Sequence, residues 1–77
     1  MDIFREIKKM IVNELSIDKE LVTAEAHLQD DLAADSLALV SLAENIASRF
    51  DMEMQLDDIV DFENVGEIVK FIESKIK

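Results

Sequence analysis

Across 77 residues the chain has no proline and a single glycine, Gly66. These are the two residue types that break helices, so the backbone meets almost no local obstacle to helix along its length. The spacing of apolar residues then decides where helices form. Ile3, Phe4, Ile7, Ile11 and Leu15 keep one helical face apolar, which predicts a first helix from about Ile3 to Leu15. Arg5, Glu6, Lys8, Lys9, Asn13 and Glu14 fall between them as its solvent face.

Residues 16 to 35 have no sustained period. Val22, Leu28 and Leu32 stand as isolated apolar anchors among acidic residues, with one helical turn expected near Asp18 to Leu21. A connection of roughly 20 residues is long for a compact domain, and such loops are often functional. Asp35 and Ser36, both good cap types, precede a second helix expected from Ser36 to Phe50. Its apolar stripe is wide. Leu37, Val40, Ala43 and Ala47 lie on one flank and Leu39, Leu42, Ile46 and Phe50 on another, so one side can fill a core while apolar groups still face solvent. Leu56, Ile59 and Val60 fit a short helix in an acidic stretch. Asn64 then caps a last helix with Glu67 at the capping-box position, a core stripe of Val65, Ile68, Val69 and Ile72, Ile76 one turn on, and Lys70, Lys75 and Lys77 towards its C-terminus. The expected fold is all-α: a small four-helix bundle of three longer helices and one short one, with a long first loop, in a single domain over residues 1–77.

The composition excludes several functions. With no cysteine there is no disulfide, thiolate metal site or thiol nucleophile, and one histidine cannot build a histidine metal site. The net charge of −10 argues against nucleic acid. It does not imply disorder, because 49% of the residues are hydrophobic. No apolar run approaches the roughly 20 residues of a membrane span, and the N-terminus lacks the pattern of a signal peptide, so a cytoplasmic protein is expected. Nothing staples the chain, so packed helices alone must offset about 1.5 kcal/mol of ordering cost per residue.

The charge is unevenly placed. Residues 16–36 carry six acids and one base, and residues 51–61 carry five acids and no base, while the three remaining segments are each neutral. All the excess acidity therefore flanks the second helix. It is either solvated loop and helix N-termini or a field that steers basic partner surfaces. Clustered carboxylates also predict a fold sensitive to pH and salt, with weak, diffuse binding of divalent cations. The alternating Asp51, Glu53, Gln55 and Asp57 do not make an EF-hand, because Leu56 and Phe62 occupy its required Gly and Glu positions. Ser36 and His27 are the one nucleophile–base pair available, and nothing in the sequence brings them together. His27 is expected to pack its ring on the loop surface. Taken alone, Ser36 reads as an ordinary N-cap serine.

The stretch Asp30-Asp31-Leu32-Ala33-Ala34-Asp35-Ser36-Leu37 resembles the modification motif of the acyl carrier proteins. Phe50-Asp51 ends the second helix as in that family. Asn64-Val65 opens the last helix, and Val22-Thr23 and Leu28 sit where the family anchors its first loop. The resemblance covers essentially the whole chain. It implies a non-catalytic carrier: a phosphopantetheinyl transferase, using Mg²⁺, attaches 4′-phosphopantetheine from coenzyme A to the Ser36 hydroxyl, and the arm's thiol carries acyl chains as thioesters between fatty-acid synthesis enzymes with basic docking patches. Two features of the residues agree. The chain has no thiol of its own, and a phosphodiester at Ser36 would sit at a helix N-terminus, which favours an anion. Asp35 opposes that anion, and the resemblance offers contact with the transferase and its metal as the reason for it. It also makes Leu37 and Val40, together with Asp35, partner contacts; core packing is the other placement open to Leu37 and Val40. Ile46, Ile59, Phe62 and Ile68 become the walls of an acyl pocket, the same placement as plain core packing. A monomer is expected, since transient docking suits an exposed second helix.

The chain departs from the family pattern in places. Ala33 stands where a glycine is usual, so the loop is expected to turn differently there, and Gln55 replaces a common proline. Ala38, Ser41, Ala47 and Ser48 occupy helix positions that are often acidic, and Arg49 adds a positive charge. These changes point to altered docking, as in a specialised carrier for a polyketide, aminoacyl or lipid-modifying pathway. An unmodified acidic helical adaptor is the alternative of a different class, and it would not need Ser36.

Overall fold

The structure, a computed structural model, describes residues 2–76. Four α-helices occur in chain order: α1 (Ile3–Leu15), α2 (Ser36–Phe50), α3 (Leu56–Val60) and α4 (Val65–Ile76), with a 3₁₀ turn at Lys19–Leu21. All four elements expected from the apolar spacing are present with the expected limits; Lys77 lies outside the described residues. α1 starts where the Asp2 carboxylate accepts the Arg5 N–H at 3.2 Å. It ends at Ser16, whose left-handed backbone (φ 55°) turns the chain away. Its stripe of Ile3, Ile7 and Ile11 is buried against α2 and α4. The wide stripe of α2 is divided: one flank is buried together with Ala43 of the other. Leu39, Leu42, Ala43, Ile46 and Phe50 are buried, whereas Leu37 and Val40 stay exposed.

α1 and α2 run in opposite directions. Glu6 near the start of α1 pairs with Arg49 near the end of α2 at 3.1 Å, while Leu15 borders the first turn of α2. α3 packs on α2. Gln55 caps it in a way that explains the missing proline: its N–H donates to the Asp58 carboxylate at 3.0 Å, and a proline has no N–H to give. The Asn64 side chain accepts the Glu67 N–H at 2.9 Å, so it is the cap of α4, while the Glu67 carboxylate reaches one residue further back to the Glu63 N–H.

The long loop packs into the core. Val22, Ala26, Leu28, Leu32 and Ala34 are buried in the same cluster as the helices. Its carbonyls serve α4: the Val65 N–H donates to Ala26 at 3.0 Å and the Gly66 N–H to Ala24 at 2.8 Å. A Cβ on Gly66 would stand 3.2 Å from that Ala24 oxygen, so the chain's one glycine lies where two backbones meet closely.

At Ala33 the chain turns through left-handed backbone. Its φ of 58° lies in the region that glycine visits freely, so the alanine is held in a conformation a glycine would adopt without penalty. A left-handed residue with a Cβ costs on the order of 1–2 kcal/mol, partly offset by the greater freedom that glycine adds to the unfolded chain. Ala33→Gly should therefore raise stability by about 0.5–1 kcal/mol, read as a higher urea midpoint. A lowered midpoint would mean that this turn is not strained.

Candidate functional site

The site grows out of the loop that delivers the N-terminus of α2. His27 organises the loop's second half. Its Nδ1 accepts the backbone N–H groups of Gln29 and Asp30, both at 3.1 Å, and its backbone N–H donates to the Asp31 carboxylate at 2.7 Å. Its carbonyl accepts from Asp31 and Leu32, and the Leu28 carbonyl from Ala34. The Asp30 carboxylate lies 3.8 Å from the same nitrogen. His27 thus does more than lie on the surface: it caps a turn. Among the described residues no hydrogen bond joins it to Ser36.

Buried Leu32 and Ala34 flank the turned Ala33, and the chain emerges at Asp35 with extended backbone. The Asp35 carboxylate accepts the Ala38 N–H at 2.8 Å and its carbonyl accepts the Leu39 N–H at 2.9 Å. Asp35 is therefore the N-cap of α2, and the reading of Ser36 as an ordinary cap serine is overturned. Only one residue can hold the non-helical cap geometry, and Ser36 is already the first helical residue. This also explains a carboxylate beside a predicted anion site, because it satisfies one of the helix's free donors.

Ser36 is exposed, and among the described residues its hydroxyl has no hydrogen-bond partner. The N–H groups of Ser36 and Leu37 have no protein acceptor there either. An exposed, unengaged hydroxyl next to unpaired helix N–H groups fits a phosphodiester at this position. Leu37 is 80% exposed and Val40 37%, so neither belongs to the core. A shallow groove of about 390 Å³ runs beside them, lined by Glu14, Leu15, Ala33, Asp35, Leu37, Ala38 and Ser41.

Ile46, Ile59 and Ile68, from α2, α3 and α4, are all buried in the single hydrophobic core. Phe62 is half-buried at its margin, its ring 5.4 Å from that of Phe71. Among the described residues no group of three or more His, Asp or Glu side chains is placed to hold a metal ion.

The outer face of α2 is nearly uncharged. Arg49 is turned onto Glu6, its Nε and Nη2 at 3.3 and 3.1 Å from one oxygen, which leaves Glu44 as the remaining acid of the helix. Sequence reasoning missed Glu14, which joins the groove from α1, and the capping role of His27. The run His27, Asp30, Asp31 was the available signal for the second.

Comparison with known proteins meets this geometry. The family model described as the phosphopantetheine attachment site matches residues 5–72. An acyl carrier protein of Thermotoga maritima is 41% identical over 75 residues, which span 97% of this chain and 93% of that protein. A capped helix that presents a free serine, a chain without a thiol and these two matches lead to one conclusion: the chain belongs to the acyl carrier proteins, non-catalytic carriers with covalently attached 4′-phosphopantetheine.

Proposed function

We propose that Ser36 is the attachment residue and that residues 1–77 form one carrier domain, monomeric and cytoplasmic, which moves acyl chains between the enzymes of fatty-acid synthesis. The observation that carries this reading is the free Ser36 hydroxyl at the first position of a helix capped by its neighbour. The arm supplies a thiol for thioester chemistry. The chain's own residues hold and present it. The unpaired N–H groups of α2 favour the phosphodiester, Leu37 and Val40 offer an apolar contact to partner enzymes, and Ile46, Ile59, Phe62 and Ile68 surround the space an acyl chain would enter.

Asp35 has two roles in this account, which substitutions separate. Asn caps a helix about as well as Asp, whereas Ala costs about 1 kcal/mol. Asp35→Asn should keep the melting temperature near that of the parent but slow loading by a phosphopantetheinyl transferase by about tenfold, through loss of a charge contact to the enzyme and its Mg²⁺. Asp35→Ala should lose both. Unchanged loading of the Asn variant would reduce Asp35 to a cap.

A second reading is favoured by one observation, the nearly neutral outer face of α2. A carrier with Arg49 neutralised by Glu6 and a single acid at Glu44 fits a specialised acyl-transfer pathway. The pantetheinylated chain should be assayed with purified malonyl-transfer and condensing enzymes of fatty-acid synthesis. Ordinary kcat/KM, falling about tenfold in Leu37→Ala at unchanged melting temperature, supports the fatty-acid reading. Negligible turnover of the modified, folded protein supports the specialised carrier.

A further inference from the structure

One surface is left over by the carrier function. A groove of about 640 Å³ runs along α1, lined by Asp2, Phe4, Arg5, Lys8, Lys9, Val12, Asn13 and Lys19. It gathers four of the chain's eight basic residues against one acid, in a protein of net charge −10. Arg5, Lys8, Lys9 and Val12 share one helical face, and the 3₁₀ turn folds back on α1 to bring Lys19 to it. Among the described residues none of the four cations has a salt-bridge partner, although the chain has 18 acids. Arg49, in contrast, is held by Glu6. The acid in the groove, Asp2, already accepts the Arg5 N–H as the cap of α1. Half-buried Phe4 and Val12 form apolar ground between the cations, and the Lys8 ammonium lies 5.8 Å from the centre of the Phe4 ring.

We propose that this groove is a second docking surface, for an acidic segment of a partner protein that places apolar side chains between its carboxylates. Charge complementarity selects the acidic partner. The length of the trough and its apolar ground select a peptide over a single small anion. The half-buried state of Phe4 and Val12 opposes a membrane, because they do not protrude as an inserting face would. The groove's cations begin at Arg5, level with the far end of α2, because the adjoining Glu6 meets Arg49 there while Leu15 borders the turn that bears Ser36. An enzyme at Leu37 and a second partner at α1 can therefore be held together, which raises the effective concentration of one for the other.

The test uses the full pantetheinylated chain, isotopically labelled, titrated with a short synthetic peptide of glutamates with leucines at helical spacing. The same peptide with glutamine for glutamate and phosphatidylglycerol vesicles are the comparison arms. Amide shifts should concentrate at Phe4, Arg5, Lys8, Lys9 and Lys19. Affinity should fall about tenfold in Lys8→Glu/Lys9→Glu, and likewise as salt is raised, while loading at Ser36 is unchanged. The milder Lys9→Gln/Lys19→Gln variant, checked by melting, should weaken binding in the same direction. No shifts at millimolar peptide, equal binding of the glutamine peptide, or preference of this face for the vesicles would each overturn the proposal.

Discussion

Ile68→Ala is expected to remove about 2–5 kcal/mol from the unloaded protein, most of the margin that a domain of this size possesses. Ile68 is completely buried, in one cluster with Ile46 and Ile59, and the deletion leaves a cavity that the surrounding helices close only in part. The acyl-pocket proposal adds a second expectation. If a chain attached at Ser36 enters between Ile46, Ile59, Phe62 and Ile68, it fills part of the deleted volume, at about 0.8 kcal/mol for each buried methylene. The gain in melting temperature on octanoylation should then be larger in Ile68→Ala than in the parent. Ile68→Val, which should cost about 0.5–1.5 kcal/mol and stay folded, should show the same trend on a smaller scale. Ile3→Ala, at the start of α1, is the control. An acyl-dependent gain no larger at Ile68 than at Ile3 would return these residues to plain core packing.

The helices were legible in the sequence because apolar spacing at Ile3, Ile7 and Ile11, or at Leu39, Leu42 and Ile46, is a local signal. Which flank of α2 faces inward was not legible, because it depends on where α1 and α3 pack. The loop was opaque for the same reason. Val22, Leu28 and Leu32 could be picked out as anchors, but the donation of the Val65 and Gly66 N–H groups to Ala26 and Ala24 joins segments about forty residues apart. Asp35 and Ser36 are both cap formers, and propensity cannot choose between neighbours; the register of the loop, set by the turned Ala33 and buried Ala34, does. Lys8 and Lys9 were visible as a solvent face, but nothing local showed that Lys19 returns to join them.

The separation of cap from attachment residue makes the central claim directly testable. Since Asp35 caps α2 and the Ser36 hydroxyl is unengaged, Ser36→Ala should alter stability by no more than about 0.5 kcal/mol. Its effect on function should nevertheless be total. The decisive measurement is intact mass after incubation with coenzyme A, Mg²⁺ and a broad-specificity phosphopantetheinyl transferase, on the parent and on Ser36→Ala, with melting curves of both. The account predicts a gain of one phosphopantetheine group by the parent and none by the variant, at closely similar melting temperatures. A folded, unmodified parent that gains no mass, or a variant that gains it equally, would contradict the assignment of Ser36.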